Sequence, residues 1–213
     1  MRLLALLLFA LALLAAGCGG GQRTTQNREV GSFDRIEVNS DINVDVVPGT
    51  SGNVVVTAGE KVIDRVVTTT SAGVLSVGIR DRGIVIGPDP FDDVRVQVSA
   101  DTLDGIRVQG SSDLKLGRID RDELSIEVEG SGDVEASGRV GNLIATIDGA
   151  GDAHLFDLEA KTATVTVQGA GDAELNVTDK LDVTVQGAGD IRYRGDPSVH
   201  QTVEGAGDIS PAG

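Results

Sequence analysis

The chain has 213 residues, a net charge of −15 at neutral pH, four Phe, one Tyr, no Trp and a single Cys. A surface this acidic repels nucleic acid and anionic headgroups, and one cysteine excludes a disulfide within the chain. So few rings argue against an aromatic-lined pocket, and the abundant Val, Ile, Leu and Ala suit thin interiors built from strands.

The chain begins MRLLALLLFALALLAAGC, one Arg followed by an apolar run over 3–16 and small residues before Cys18. The run is too short and wrongly flanked for a membrane span, so 1–17 reads as a bacterial lipoprotein signal peptide. LLAAGC resembles a lipobox, with Ala15 where Leu is commoner. Cleavage before Cys18 and lipid attachment to it are therefore expected; an ordinary secreted protein with a chance cysteine there is the alternative. Gly19, not Asp, follows the cysteine, which resembles the signal for the outer membrane if the host is Gram-negative. The expected location is the cell envelope, with the membrane as a partner through the lipid anchor. Residues 18–29 lack an apolar period and read as a flexible tether.

From there to 210 a single domain with strand alternation is expected. FDRIEV (33–38), DINVDV (41–46), NVVVTA (53–58), VIDRVV (62–67) and VLSVGI (74–79) come first, punctuated by PGTSGN, AGEK and TSAG. Segment 79–93 is irregular, a surface loop or a bulge, and its Pro88 and Pro90 exclude a central strand. No helical period of useful length follows the signal.

From about residue 93 a repeat takes over. VQGSSD, VEGSGD, IDGAGD, VQGAGD, VQGAGD and VEGAGD end at Asp113, Asp133, Asp152, Asp172, Asp190 and Asp208, in steps of 18–20 residues. In LDVTVQGAGDIRYR (181–194), Leu181, Val183 and Val185 share one face, and Ile191 and Tyr193 share one after the turn. Period two on both sides of the turn predicts two short strands per repeat. One such unit cannot bury its apolar face alone, whereas stacked copies make a continuous core. The same turn recurs once per repeat, so equivalent strands should run parallel. The predicted fold is all-β: a parallel β-solenoid, right-handed β-helix-like, with coils about 4.8 Å apart. A sandwich or propeller is the alternative. In the solenoid, Val165, Val183 and Val203 should stack in line, as should Leu175 and Tyr193.

The opening GSFDRIEVNSDINVDVVPGTSGNVVVTAGEKVIDRVV, followed by the repeated V-x-G-[SA]-[SG]-D, resembles the putative auto-transporter adhesin head domain, or GIN domain, of bacterial exported lipoproteins. The resemblance covers about 30–210 and implies an exported, often lipidated stack of β-coils. It supplies no catalytic residues.

The six aspartates admit two roles. GAGDAHLFD (149–157) superficially echoes a calcium-binding repeat, but the spacing is double what that site needs. One carboxylate per coil offers too few oxygens for calcium. The structural role needs no ion: Gly supplies φ > 0 at the corner and Asp accepts hydrogen bonds from turn amides. A weak cation column is the alternative. Asp190, Arg192 and Arg194 share a face, as do Asp152 and His154, an arrangement that an acidic-polysaccharide-active β-helix enzyme could use. Alternating charge is also how a solvated sheet face looks, and His154 and His200 sit at different offsets. No nucleophile elbow, HExxH, CxxC or phosphate loop occurs. The reading is a non-enzymatic envelope lipoprotein with no catalytic residues, cofactor or metal. It serves adhesion or scaffolding against an unidentified protein or glycan surface; a binding module associated with envelope signalling is the alternative.

Overall fold

Alternation of apolar and polar residues becomes alternation of burial. The segment Ala173–Gly187 buries Ala173, Leu175, Val177, Leu181, Val183 and Val185 and directs the residues between them outward. The structure, a computed structural model, describes residues 22–81, 83 and 89–212. The expected signal peptide and the lipid attachment at Cys18 lie outside the described residues.

Among the described residues, fifteen strands form one sheet. The first eight are β1 (Arg23–Glu29), β2 (Arg35–Val38), β3 (Asn43–Val47), β4 (Asn53–Gly59), β5 (Val66–Ser71), β6 (Val74–Ile79), β7 (Arg95–Ser99) and β8 (Gly105–Gly110). The rest are β9 (Leu114–Gly130), β10 (Val134–Gly149), β11 (Ala153–Gly169), β12 (Ala173–Gly187), β13 (Ile191–Arg194), β14 (Ser198–Gly205) and β15 (Ile209–Pro211). Strands β8 to β12 pair in parallel, each a coil further on, and β13, β14 and β15 continue the stack. This is a parallel β-solenoid, as the repeat predicts.

The long strands correct the picture of two short strands per repeat. In β11 the buried residues are Ala153 and Leu155, then Leu158 and Ala160, then Ala163, Val165 and Val167. The inward parity changes twice, so this coil has three inward-facing segments, and the backbone stays paired through both bends. Only the Gly–Asp corner interrupts the strand. The 18-residue coils are shorter because the middle segment is trimmed: Leu155 pairs Leu175, and the next paired residues are Glu159 and Asn176. Phe156, Asp157 and Leu158 therefore bulge between the two coils.

The interior columns follow the register. Val128, Ile147, Val167 and Val185 are fully buried and in line, and Val203 continues that column. The expected column Val165, Val183, Val203 is thus corrected: Val165 does pair Val183, but Val183 pairs Gln201. An error of two residues keeps a side chain on the same face, so alternation alone could not detect it. Leu175 does pair Tyr193.

The N-terminal end departs furthest from expectation. Residues 23–29, read as tether, form β1, antiparallel to β4, which is in turn antiparallel to β7. Hydropathy gives no sign of this because the half-buried residues Thr24, Gln26 and Arg28 are polar. Arg28 is held by hydrogen bonds: its Nη1 donates to the Val66 carbonyl at 2.6 Å and its Nη2 to the Ile63 carbonyl at 2.9 Å. VIDRVV is not a strand throughout, since Ile63–Arg65 form a 3-10 turn that leads into β5. Part of segment 79–93, including Pro88, lies outside the described residues. Its far end is no simple loop, because Phe91 is buried at 1% exposure and joins the core that caps this end of the stack.

Candidate functional site

Each repeat turns on four residues. In the first position Gly130, Gly149, Gly169, Gly187 and Gly205 have φ between +132° and +153°, backbone that side chains resist. The third position is closed by the neighbouring coil: a Cβ on Gly171 would lie 2.1 Å from the Gly151 carbonyl oxygen. Ser112 fills that position in the first corner, where the underlying coil differs. Its buried hydroxyl donates to the Ser40 carbonyl and accepts the Ile42 N–H at 3.1 Å.

The fourth position carries the six predicted aspartates, and the structure brings them into one column. Asp133 Oδ1 accepts the N–H of Asp152 at 3.0 Å, and Asp152 Oδ1 that of Asp172 at 2.8 Å. Asp172 accepts from Asp190 at 2.7 Å and Asp190 from Asp208 at 2.9 Å, while the Asp113–Asp133 contact is longer at 3.5 Å. Asp41 lies two residues off this column, and its Oδ1 accepts the Ser111 N–H at 3.0 Å. The amide partner is therefore on the next coil, not in the aspartate's own turn as expected. Two backbone bonds flank each rung: beside the Asp152–Asp172 contact, Ala170 N–H donates back to the Gly149 carbonyl, and Ala153 N–H forward to the Asp172 carbonyl. The corner is a three-bond seam between coils, and the carboxylates satisfy amides that strand pairing leaves over. Among the described residues, no group of three or more His, Cys, Asp or Glu is placed to hold a metal ion.

The face after the aspartates carries a charge ladder. Asp45, Lys115, Glu135, His154, Glu174 and Arg192 follow one another in register. Lys115 Nζ lies 2.7 Å from Glu135 Oε2, and His154 Nδ1 lies 3.4 Å from Glu174 Oε2. The hydrogen bond from Lys115 lowers the Glu135 pKa, and the same bond raises that of Lys115. Asp190, Arg192 and Arg194 do not converge on a common point. Asp190 belongs to the aspartate seam, while the Arg194 guanidinium lies 3.9 Å over the Phe156 ring. His200 lies on β14, in register with Asp182 and apart from His154.

Sequence reasoning missed three surface features. Thr146, Thr166, Thr184 and Thr202 form a column on the sheet before the glycines, legible as a threonine three residues ahead of four of the turns. A groove of about 560 Å³, open to solvent, follows the bend lined by Arg118, Asp120, Ser137 and Arg139. Finally, Val203 in the last coil is 40% exposed.

Comparisons with known proteins agree with this geometry. A putative adhesin from Bacteroides fragilis superposes with a TM-score of 0.68 at 23% identity, over 91% of this chain and 98% of that one. A putative adhesin from Parabacteroides distasonis gives 0.59 at 21% identity, over 91% and 98%. A putative lipid binding protein from the same species gives 0.52 at 21%, over 92% and 98%. These likenesses establish the fold. No protein of curated function matches. The family model described as putative auto-transporter adhesin, head GIN domain, matches residues 32–197, and the chain belongs to that family.

Proposed function

We propose that this protein is a non-enzymatic adhesion module of the cell envelope, held to a membrane by lipid on Cys18. The observation that carries the reading is the opposition of the two ends. β1, the strand nearest Cys18 in sequence, lies at one edge of the sheet and β15 at the other, nine strand spacings away. At about 4.8 Å per spacing the far end stands roughly 43 Å from the anchored one. A stack tied at every corner holds such a distance stiffly, as a module that reaches across to another surface requires. Family membership supports the adhesion reading. The partner classes it favours are a protein or glycan surface, and the acidic faces disfavour nucleic acid.

Expression of the chain on a non-adherent bacterial host tests the proposal. Attachment to cells, protein-coated surfaces or glycan-coated surfaces should rise with expression and be lost when residues 30–210 are deleted. Equal attachment with and without the domain would refute it.

A further inference from the structure

We propose that the last coil is a self-recognition edge, through which two copies of this chain pair antiparallel along β14. Every residue of β14 except Val199 is exposed, and among the described residues it pairs β12 on one side only. Val203 ends a column whose other members, from Val108 to Val185, are fully buried. At the opposite end β1 carries Arg23, Arg28 and Glu29, and Arg28 is tied across the end of the core. β15 carries Pro211, which has no N–H to offer. β14 has no proline, lysine or arginine, so it lacks the usual devices that blunt an edge.

The occupant follows from geometry. Ala206 N–H points back to the Gly187 carbonyl. The period of two then turns the backbone groups of Val199, Gln201 and Val203 toward the open edge. The same three residues point their side chains toward the interior, in line with Leu181, Val183 and Val185. A two-fold axis at Gln201 sets Val199 against Val203 of the second copy and Gln201 against itself. This register keeps inward side chains opposite inward ones, lets each facing pair exchange both amide bonds, about six in all, and covers both Val203 side chains. It also sets Glu204 against Ser198 and His200 against Thr202, so no two acidic residues face each other. Because the two-fold register pairs β14 with the same strand of the second copy, the contact is isologous and closes as a dimer instead of a filament.

One strand pair buries less than the roughly 1,200–2,000 Å² of a standard stable interface, so pairing is weak between single molecules. Many anchored copies facing one another would multiply it. The inference deepens the adhesion reading by naming the partner, a second copy on an opposing surface, and it rests on that reading for its use.

Sedimentation equilibrium of the full chain in mild detergent, from micromolar to about 1 mM, should show a reversible monomer–dimer equilibrium. Gln201→Pro removes an outward N–H and leaves pairing with β12 intact, and Val203→Lys puts a charge on the edge. Each should weaken dimerisation at least tenfold with little change in the monomer's melting temperature. With Cys18→Ser as background, Gln201→Cys should cross-link to itself on oxidation, since facing Cα atoms lie about 5.5 Å apart, whereas Val203→Cys should not. A chain that stays monomeric at 1 mM, or a dimer indifferent to both variants, overturns the proposal. Attachment of cells is scored in parallel. Pairing without attachment would sink the adhesion reading and leave the edge standing, and attachment without pairing would do the reverse.

Discussion

Asp152 Oδ1 accepts the backbone N–H of Asp172 at 2.8 Å, and these two residues are 20 apart in sequence but adjacent in the stack. The same relation joins Asp172 to Asp190 and Asp190 to Asp208. Each carboxylate from Asp113 to Asp190 thus accepts an amide of the following coil, which is why the aspartate recurs with the coil.

Replacing Asp172 by Ala should therefore cost about 1 kcal/mol, the net worth of one hydrogen bond at a solvated site. Asp208 receives no amide among the described residues, so Asp208→Ala should cost much less. Thermal melts with calcium, with magnesium at equal ionic strength and with chelator should give the same ordering. A calcium-specific gain in the wild type that Asp172→Ala removes would show a cation column instead.

Gly171→Ala tests the packing of the seam. Its methyl would meet the Gly151 carbonyl oxygen at 2.1 Å, a contact only backbone movement relieves. The loss should reach about 3 kcal/mol. The adjacent Ala170 is exposed, and Ala170→Ser should be nearly neutral. Urea denaturation of both variants measures the contrast.

Val183 and Thr184 are neighbours on opposite faces. Val183 is 3% exposed inside the stack, whereas Thr184 lies in the outer threonine column. An aspartate at 183 buries a charge without a partner and should destabilise by roughly 3–5 kcal/mol. At 184 the carboxylate reaches water and the cost should be a small fraction of that. Equal losses would contradict the assigned faces.

The Lys115–Glu135 pair makes a prediction about pH. The Glu135 pKa is lowered from 4.5 on folding, so its contribution is full above 4.5 and fades as pH falls through the lowered value. The Lys115 pKa is raised from 10.5, so its contribution is full below 10.5 and fades as pH rises through the raised value. The stability difference between wild type and Lys115→Met should therefore be small, constant across neutral pH, and absent at both extremes. Both groups are exposed, so added salt should shrink it. Chemical unfolding across the pH range, at low and high salt, checks the shape of the difference.

Cys18→Ser should release the protein from the membrane fraction if lipid on that cysteine is the anchor. Cell fractionation with detection of the whole chain reads this directly, and retention of both forms alike would remove the anchor from the proposed function.

The sequence by itself determined the repeat, the face of each repeat strand and the columns of glycine and aspartate. These are local properties: alternation, and a four-residue corner whose backbone accepts glycine where a side chain cannot fit. It did not determine which atoms meet between coils. Val203 could be assigned to the right face yet to the wrong column, because a shift of two residues preserves parity and only pairing with β12 settles it. The bends within β9 to β11 escaped notice because the strand assignment continues through them; β10 carries Gly138 with φ +124° at its bend, but β11 has no glycine there to mark the place. β1 was hidden for the opposite reason: its half-buried positions are Thr24, Gln26 and Arg28. Their burial is decided by hydrogen bonds to residues more than 30 positions away, such as that of Arg28 to the Val66 carbonyl. The recurrence of the aspartates was legible, but their partners were not. Those partners come into reach only when successive coils stack in register.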